Sequence, residues 1–365
     1  MKSIEKNHIW SRFSNWFLRH RKAILIIGGI IIFLAALAVT CVFFIFNTAG
    51  TKKEETPKTQ IPKVVEPIKY YAPLSGRLTG SEALIIRPVT GMMIENSPEA
   101  RPQSGLKNSG VVFEAIAEGG ITRFLVLYQS ETPQLIGPVR SVRMYYISWA
   151  AAFDASIGHV GGNMDALAEI RNGNYRDIDQ FFNSEAYWRS EDRYAPHNMY
   201  TGFTQLDALN AEKGYTSSTF TGFKRIDAVP SATLTASNIN VEISSYLFNS
   251  SYVYNTTTNT YDRFQAGEAH LDREDGQISP NCVIAMFVDE ATIENGDGFV
   301  QSIGTVGTGR AVIFQNGVAT EAIWAKSSDT SQITFKDSTG IDIPLVRGQT
   351  WITAVPNVDG SVTWN

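Results

Sequence analysis

The chain has 365 residues, 43% of them hydrophobic and 18% charged, with a formal net charge of −5. That is ordinary globular composition, and its acidic balance argues against nucleic-acid binding, which needs a basic face for the phosphates. Two cysteines occur, Cys41 and Cys282, too few for the disulfide framework of a small secreted domain.

Residues 1–22 form a basic tail. Lys2, Lys6, Arg12, Arg19, Arg21 and Lys22 stand against Glu5 alone, a balance of +5, with Ile9, Trp10, Phe13, Trp16 and Phe17 interleaved. This suits a short helix on the inner membrane surface or a flanking tail with interfacial aromatics. Residues 23–46 then run 24 positions without a charge. About 20 apolar residues span a bilayer as a helix, whereas a cleaved secretory signal has a core of roughly 7 to 15. An uncleaved transmembrane anchor is therefore expected. A lipoprotein signal ending at Cys41 fits less well, because Thr40 precedes the cysteine and VFFIF continues the apolar run. Positive flanks stay inside, so the N-terminus is expected in the cytoplasm and the rest of the chain outside. The outer part then carries −5 − 5 = −10.

Residues 47–72, with three prolines and many charges, read as an extracytoplasmic linker. Residues 73–229 mix strands (GVVFEAIA, RFLVLYQ, ASIGHVG) with helices (SVRMYYISWAAAFD, NMDALAEIRN, TQLDALNAEK). Ser141 and Thr204 are the expected N-caps, and Gly214 stops the last helix. This predicts an α/β or α+β domain. From 230 to 365 the texture changes to hairpins: SYVYNTTTNTYDRF, AVIFQ-NG-VATEAIW with a type I′ turn at Asn316-Gly317, then ITFKD-STG-IDIPL and QTWITAV. A mostly antiparallel β C-terminal domain is expected. Cys282 lies in NCVIAMFV and reads as a buried, inert thiol.

The candidate site residues cluster in the mixed domain. EGGITRF reads as a hairpin with Gly119 and Gly120 as its two-residue loop. Glu118 then faces Ile121, Ala117 faces Thr122, Ile116 faces Arg123 and Glu114 faces Leu125. One face carries Val111, Phe113, Ala115, Ala117, Thr122, Phe124, Val126 and Tyr128, the expected core. The other carries Glu114, Ile116, Glu118 and Arg123, so Arg123 is expected between two carboxylates. That arrangement is either an ion-pair cluster or the wall of a ligand cleft. Glu114 and Glu118 would lie roughly 13 Å apart along one strand, too far for a glycosidase pair at about 5 to 9.5 Å.

IGPVRSVR places Arg140 and Arg143 beside Ser141 at an expected helix N-terminus, where guanidinium groups need a carboxylate such as Glu118, Glu131 or Glu95, or a bound anion. MIENSPEARPQSGL offers Glu95, Asn96 and Arg101 on a loop stiffened by two prolines. His159 precedes a Gly-Gly turn, and His197 and Asn198 sit in YAPHNMY. Their spacing is not that of a metal site, and His270 reads as a surface position. No metal and no cofactor is expected, and no hydrolase signature is present.

Five segments occur in order: MIENSPEARPQSGL, VVFEAIAEGGITRFLVLY, IGPVRSVR, the His-x-Gly-Gly turn and APHNMYT. Together they resemble the YerB-like family of bacterial envelope proteins, domain of unknown function 3048. YDRFQAGEAHLDREDGQISPNCVIAMF, GTGRAVIFQNG and GQTWITAVP are similar to that family's C-terminal domain. The resemblance covers roughly residues 73–357 and supports the two-domain plan and an envelope location. It implies no reaction. Many members look like lipoproteins, from which this chain departs with its apolar anchor.

The expected function is a membrane-anchored, extracytoplasmic binding or scaffold module for a cell-wall component or envelope protein. The ligand set would be Glu95, Asn96, Arg101, Arg123, Arg140, Ser141, Arg143, His159, His197 and Asn198. The alternative is a wall-directed hydrolase or transferase using Glu114 or Glu118 with His159 or His197 as acid and base.

Overall fold

The computed structural model describes residues 5–48 and 68–365. They fall in two units, one holding residues 5–48 and the other residues 68–365. The first contains one helix, α1 (Glu5–Thr48). Its stretch Leu18–Ile45 has a mean hydropathy of 2.9 over its most apolar part and is long enough to cross a bilayer. The basic segment runs into it without a break in the helix. Most of the linker expected at 47–72 lies outside the described residues.

The second unit begins a few residues before Pro73. Tyr70–Tyr71 pairs with Leu78–Thr79, and Ala72 is already buried. Its central element is a ten-stranded mixed sheet. In chain order the strands are β1 (Thr90–Glu95), β2 (Val111–Ile116), β3 (Thr122–Tyr128), β4 (Ser156–Gly158) and β5 (Arg176–Asp177). From the C-terminal region come β10 (Cys282–Val288), β13 (Gly307–Gln315), β14 (Val318–Lys326), β15 (Thr334–Lys336) and β16 (Thr350–Pro356). The order across the sheet is β15-β14-β13-β10-β16-β2-β3-β1-β4-β5. The change of texture near residue 230 does not interrupt it. Strand β16 pairs in parallel with β2, Thr350 opposite Val111.

A smaller five-stranded antiparallel sheet is built from β6 (Asn238–Glu242), β7 (Ser250–Asn255), β8 (Thr260–Gln265), β9 (Glu268–Ala269) and β17 (Ser361–Trp364). A separate hairpin is formed by β11 (Glu290–Asn295) and β12 (Gly298–Ile303). The N-terminal region is thus mixed α/β and the C-terminal region mostly antiparallel β. Asn316 and Gly317 form the expected I′ turn, with φ of 56° and 77°.

Every residue of β2 and β3 is buried. A sheet covered on both faces gives near-continuous apolar strands with no polar side. One face is covered by α2 (Met144–Ala151) and α3 (Met164–Asn172), which pack Tyr146, Trp149 and Ile170 into the core that holds Phe113, Leu125 and Ile352. The opposite face is covered by α4 (Phe203–Glu212) and the small sheet, with Phe203, Leu206 and Tyr252 in the core that holds Phe124, Val126 and Trp351.

Two expected caps are displaced. Ser141 does not cap α2, whose extended N-cap residue is Arg143. Val139 and Val142 are held in bridges to Ile94 and Gly162, so the backbone stays extended until Met144. Thr204 lies inside α4, after Gly202 at its N-cap. A Cβ at 202 would meet the Gln134 carbonyl oxygen at 2.1 Å, so the close approach demands glycine there.

Candidate functional site

The Gly-Gly hairpin exists, but with one residue more on its outgoing side than expected. Ile121 N donates to Glu118 O, closing the turn over Gly119 and Gly120, both at positive φ. Ala117 N also donates to Ile121 O. Ile121 thus opposes two residues, which is a β-bulge. Beyond it the register is Ile116 opposite Thr122, Ala115 opposite Arg123 and Glu114 opposite Phe124. This corrects the expected pairing by one residue, and such a slip moves side chains to the other face. Arg123 therefore shares a face with Ala115 and Phe113, while Glu114 projects through the opposite one.

Arg123 keeps one of its two expected partners. Its Nη2 donates to Glu118 Oε2 at 3.2 Å and its Nη1 to the Ser141 carbonyl at 3.1 Å. Arg143 Nε donates to the other oxygen of Glu118. One carboxylate thus bridges two guanidinium groups. Burial opposes ionisation of Glu118, but the Arg143 hydrogen bond and the two positive charges outweigh it and hold the carboxyl below its usual range. Burial, and then the neighbouring Arg143, lower the pKa of Arg123.

A second knot adjoins the first. Glu95 ends β1 directly opposite Arg123 of β3. Its Oε1 accepts from Ser97 Oγ at 3.0 Å and lies 3.0 Å from His197 Nδ1. Its Oε2 lies 3.1 Å from Arg140 Nε without the alignment of a hydrogen bond. The segment carrying both arginines is stitched to β1, Arg140 N donating to Met93 O and Pro138 O accepting from Glu95 N. The two knots together hold three arginines against two glutamates. Arg123, Arg143 and Glu95 are nearly covered, whereas Glu118, Arg140 and His197 keep 31%, 25% and 23% of their side-chain surface exposed.

The geometry of Ser97, His197 and Glu95 differs from that of a nucleophile triad. There, one ring nitrogen serves the serine and the other the carboxylate. Here His197 Nδ1 faces both, at 3.3 Å from Ser97 Oγ and 3.0 Å from Glu95 Oε1.

The chain matches the N-terminal domain of the protein of unknown function DUF3048 over residues 74–216 and the C-terminal domain over residues 239–352. It is 32% identical over 329 residues to the protein named "Putative lipoprotein YerB" of Bacillus subtilis (strain 168), covering 88% of this chain and 95% of that one. The chain belongs to the DUF3048 family. The crystal structure of YerB from Bacillus subtilis superposes with a TM-score of 0.71 at 29% identity, covering 81% of this chain and all of that one. Together, the apolar helix and the lipoprotein relative associate this DUF3048 protein with a membrane.

The remaining residues singled out from sequence have structural partners. Asn96 is buried, giving its amide to Thr122 Oγ1 and accepting from Arg101 and Gln103. Arg101 also donates to the carbonyls of Asn96 and Leu247, and burial, followed by the charge of Arg263, lowers its pKa to about 10. Asn198 ties its own loop, accepting from Arg189 and donating to Ser190 O. His159 is fully buried, with Nδ1 on Gly161 O and Nε2 on Asp177. Glu114 is also fully buried, on the far face, so it does not share a cleft with His159.

Glu114 belongs instead to an interior network of this DUF3048 fold. Arg263 Nη2 lies 3.0 Å from both its oxygens, and Trp351 Nε1 donates to Oε2 at 2.9 Å. Arg263 Nε donates to His270 Nδ1, so Nε2 carries the ring proton and donates to Gln103 Oε1 at 3.0 Å. Burial and then the charges of Arg263 and Arg101 hold His270 well below its ordinary pKa. His270 is buried, which corrects the expected surface position; the partner that draws it inside is Arg263. The signal for Arg263 was the alternation Tyr261-x-Arg263-x-Gln265 in β8, all three buried.

A second contact invisible in the sequence joins Ser148 of α2 to Lys326, 3.2 Å apart. Lys326 also donates to the carbonyls of Ser328 and Asp329. Its ammonium hydrogens are thus engaged, which makes it a tie between α2 and the loop after β14.

Proposed function

We propose that this chain is a single-pass membrane protein, N-terminus in the cytoplasm, whose outer unit binds an anionic group of an envelope component at the paired arginine knots. The observation that supports this reading best is Arg140. Among the described residues its guanidinium meets Glu95 by charge only, with no hydrogen bond, and a quarter of its side chain is exposed. A guanidinium has five donors in a fork suited to a carboxylate or phosphate. With three arginines against two glutamates, the cluster favours an incoming anion. The +5 balance before the apolar helix supports the orientation.

The test uses the full chain in lipid nanodiscs and wall-derived peptide fragments that carry free carboxylates. Arg140→Ala is expected to weaken binding about tenfold or more, and Arg140→Lys to recover only part of it, because a lysine is a point charge without the fork. Unchanged binding in Arg140→Ala would overturn the arginine site. Protease protection in intact cells against permeabilised ones checks the orientation separately.

A further inference from the structure

Glu95 lies between two groups that share its charge. Its Oε1 accepts from Ser97 Oγ and faces His197 Nδ1, each at 3.0 Å. Its Oε2 is shielded from solvent, makes no hydrogen bond among the described residues, and meets Arg140 Nε by charge at 3.1 Å. The backbone fixes both neighbours. Arg140 N donates to Met93 O, Val139 N to Met199 O and His197 N to Tyr194 O. Both keep an outlet to solvent, with 25% of the Arg140 side chain and 23% of that of His197 exposed, while Glu95 keeps only 5%. A proton can therefore reach the ring, and an anion the guanidinium, with the carboxylate covered between them.

An imidazole is the side chain that changes charge between pH 5 and 8, whereas guanidinium groups keep theirs. With His197 neutral, Arg140 is the cation in ion-pair range of Glu95 among the described residues. With His197 protonated, the carboxylate has a second cation and its hold on Arg140 weakens. The other charged groups around this site are engaged elsewhere. Arg123, opposite Glu95 on β3, is directed to Glu118 and the Ser141 carbonyl. Burial opposes ionisation of Glu118, but Arg143 and Arg123 overcome it, so this carboxylate stays ionised in that range. Arg101 serves Asn96 and the Leu247 carbonyl. On the histidine's own side, Arg189 donates to Asn198, Arg193 to the carbonyls of Glu99 and Pro102, and Tyr194 is exposed.

We infer that protonation of His197 strengthens anion binding at Arg140, the imidazolium taking over the Glu95 carboxylate and freeing the guanidinium fork. This rests on the reading of Arg140 as the anion site. The coupling is reciprocal, so a bound anion draws a proton onto His197.

The test is calorimetric titration of the full chain in nanodiscs with an N-acetylated wall-derived peptide whose titratable groups are all carboxylates, so that its charge is nearly constant from pH 5.5 to 7.5. Wild type is expected to bind it about three- to tenfold tighter at pH 5.5 than at pH 7.5, the effect of one added charge nearby in a partly solvated site. His197→Gln is expected to lose that difference. Glu95→Gln, which removes the carboxylate that competes for Arg140, is expected to bind at pH 7.5 at least as tightly as wild type at pH 5.5. Near-UV dichroism checks that each variant is folded at both pH values. Equal affinity of wild type at the two pH values, the full difference kept in His197→Gln, or weaker binding in Glu95→Gln would each overturn the coupling and leave the arginine site standing. Binding at neither pH would overturn both.

Discussion

Glu114 and Arg263 are both at zero side-chain exposure, 3.0 Å apart and 149 positions distant in sequence. Removing one partner of such a pair leaves an uncompensated charge in the interior, which costs about 3 to 5 kcal/mol. Glu114→Ala is therefore expected to lower unfolding stability by that amount in urea titrations. The double change Glu114→Leu with Arg263→Met should recover much of the loss, because the desolvation penalty of both ions disappears with them. His270 adds a pH dependence. Its folded pKa lies well below its ordinary value of 6.5 because of burial and the neighbouring guanidinium groups. The unfolded chain therefore binds a proton that the folded chain refuses. Its contribution is fully present above about pH 6.5 and is lost as pH falls below it. Urea midpoints measured at pH 7.5 and 5.5 should drop for wild type, and His270→Gln should flatten that drop.

At the scale of elements, the hairpin between β2 and β3 shows what local signals can carry. Two adjacent glycines announced the turn correctly, since both adopt positive φ, 59° and 73°. The bulge that follows was not legible, because it depends on where both strands pack on their neighbours. A Cβ at Gly119 would meet open space, whereas one at Gly120 would lie 2.8 Å from Ser244 Oγ. Ser244 in turn donates to the Gly120 carbonyl at 2.7 Å. Gly119→Ala is expected to cost about 1 kcal/mol for the left-handed backbone alone, and Gly119→Asn less. Gly120→Ala should cost clearly more, since it also displaces Ser244. Thermal unfolding of the three variants separates the two terms. Helix starts followed the same logic. Ser141 has the right chemistry for a cap, but its backbone lies in an extended segment bridged to β1 and the His159 turn.

For the whole second unit, the parallel pairing of β16 with β2 places the two DUF3048 regions in one sheet. The Glu114–Arg263–His270–Gln103 chain also crosses between them. Two regions that share a sheet and an interior network unfold together. Fluorescence probes placed in residues 73–229 and in residues 230–365 should report coincident urea transitions, and a fragment ending at 229 should lack native-like near-UV dichroism. Separate transitions would mean that the shared sheet contributes little to cooperativity.

Membrane association, helix and strand content, the Asn-Gly and Gly-Gly turns and the family were all readable from the chain itself. They depend on local periodicity, on turn chemistry and on the length of one apolar run. The segments with the arginines were also found, and Arg123, Arg140, Arg143, Glu95, Glu118 and His197 do converge. Which carboxylate serves which arginine was decided only in three dimensions. The reason is the double burial of the central strands: with both faces apolar, alternation no longer says which side is inside, and one bulge residue sends Glu114 and Arg123 to opposite faces. EGGITRF by itself specified a turn and a return strand. The tertiary structure gave Arg123 to Glu118 and the Ser141 carbonyl, and of the three knot arginines left Arg140 without a side-chain hydrogen bond among the described residues.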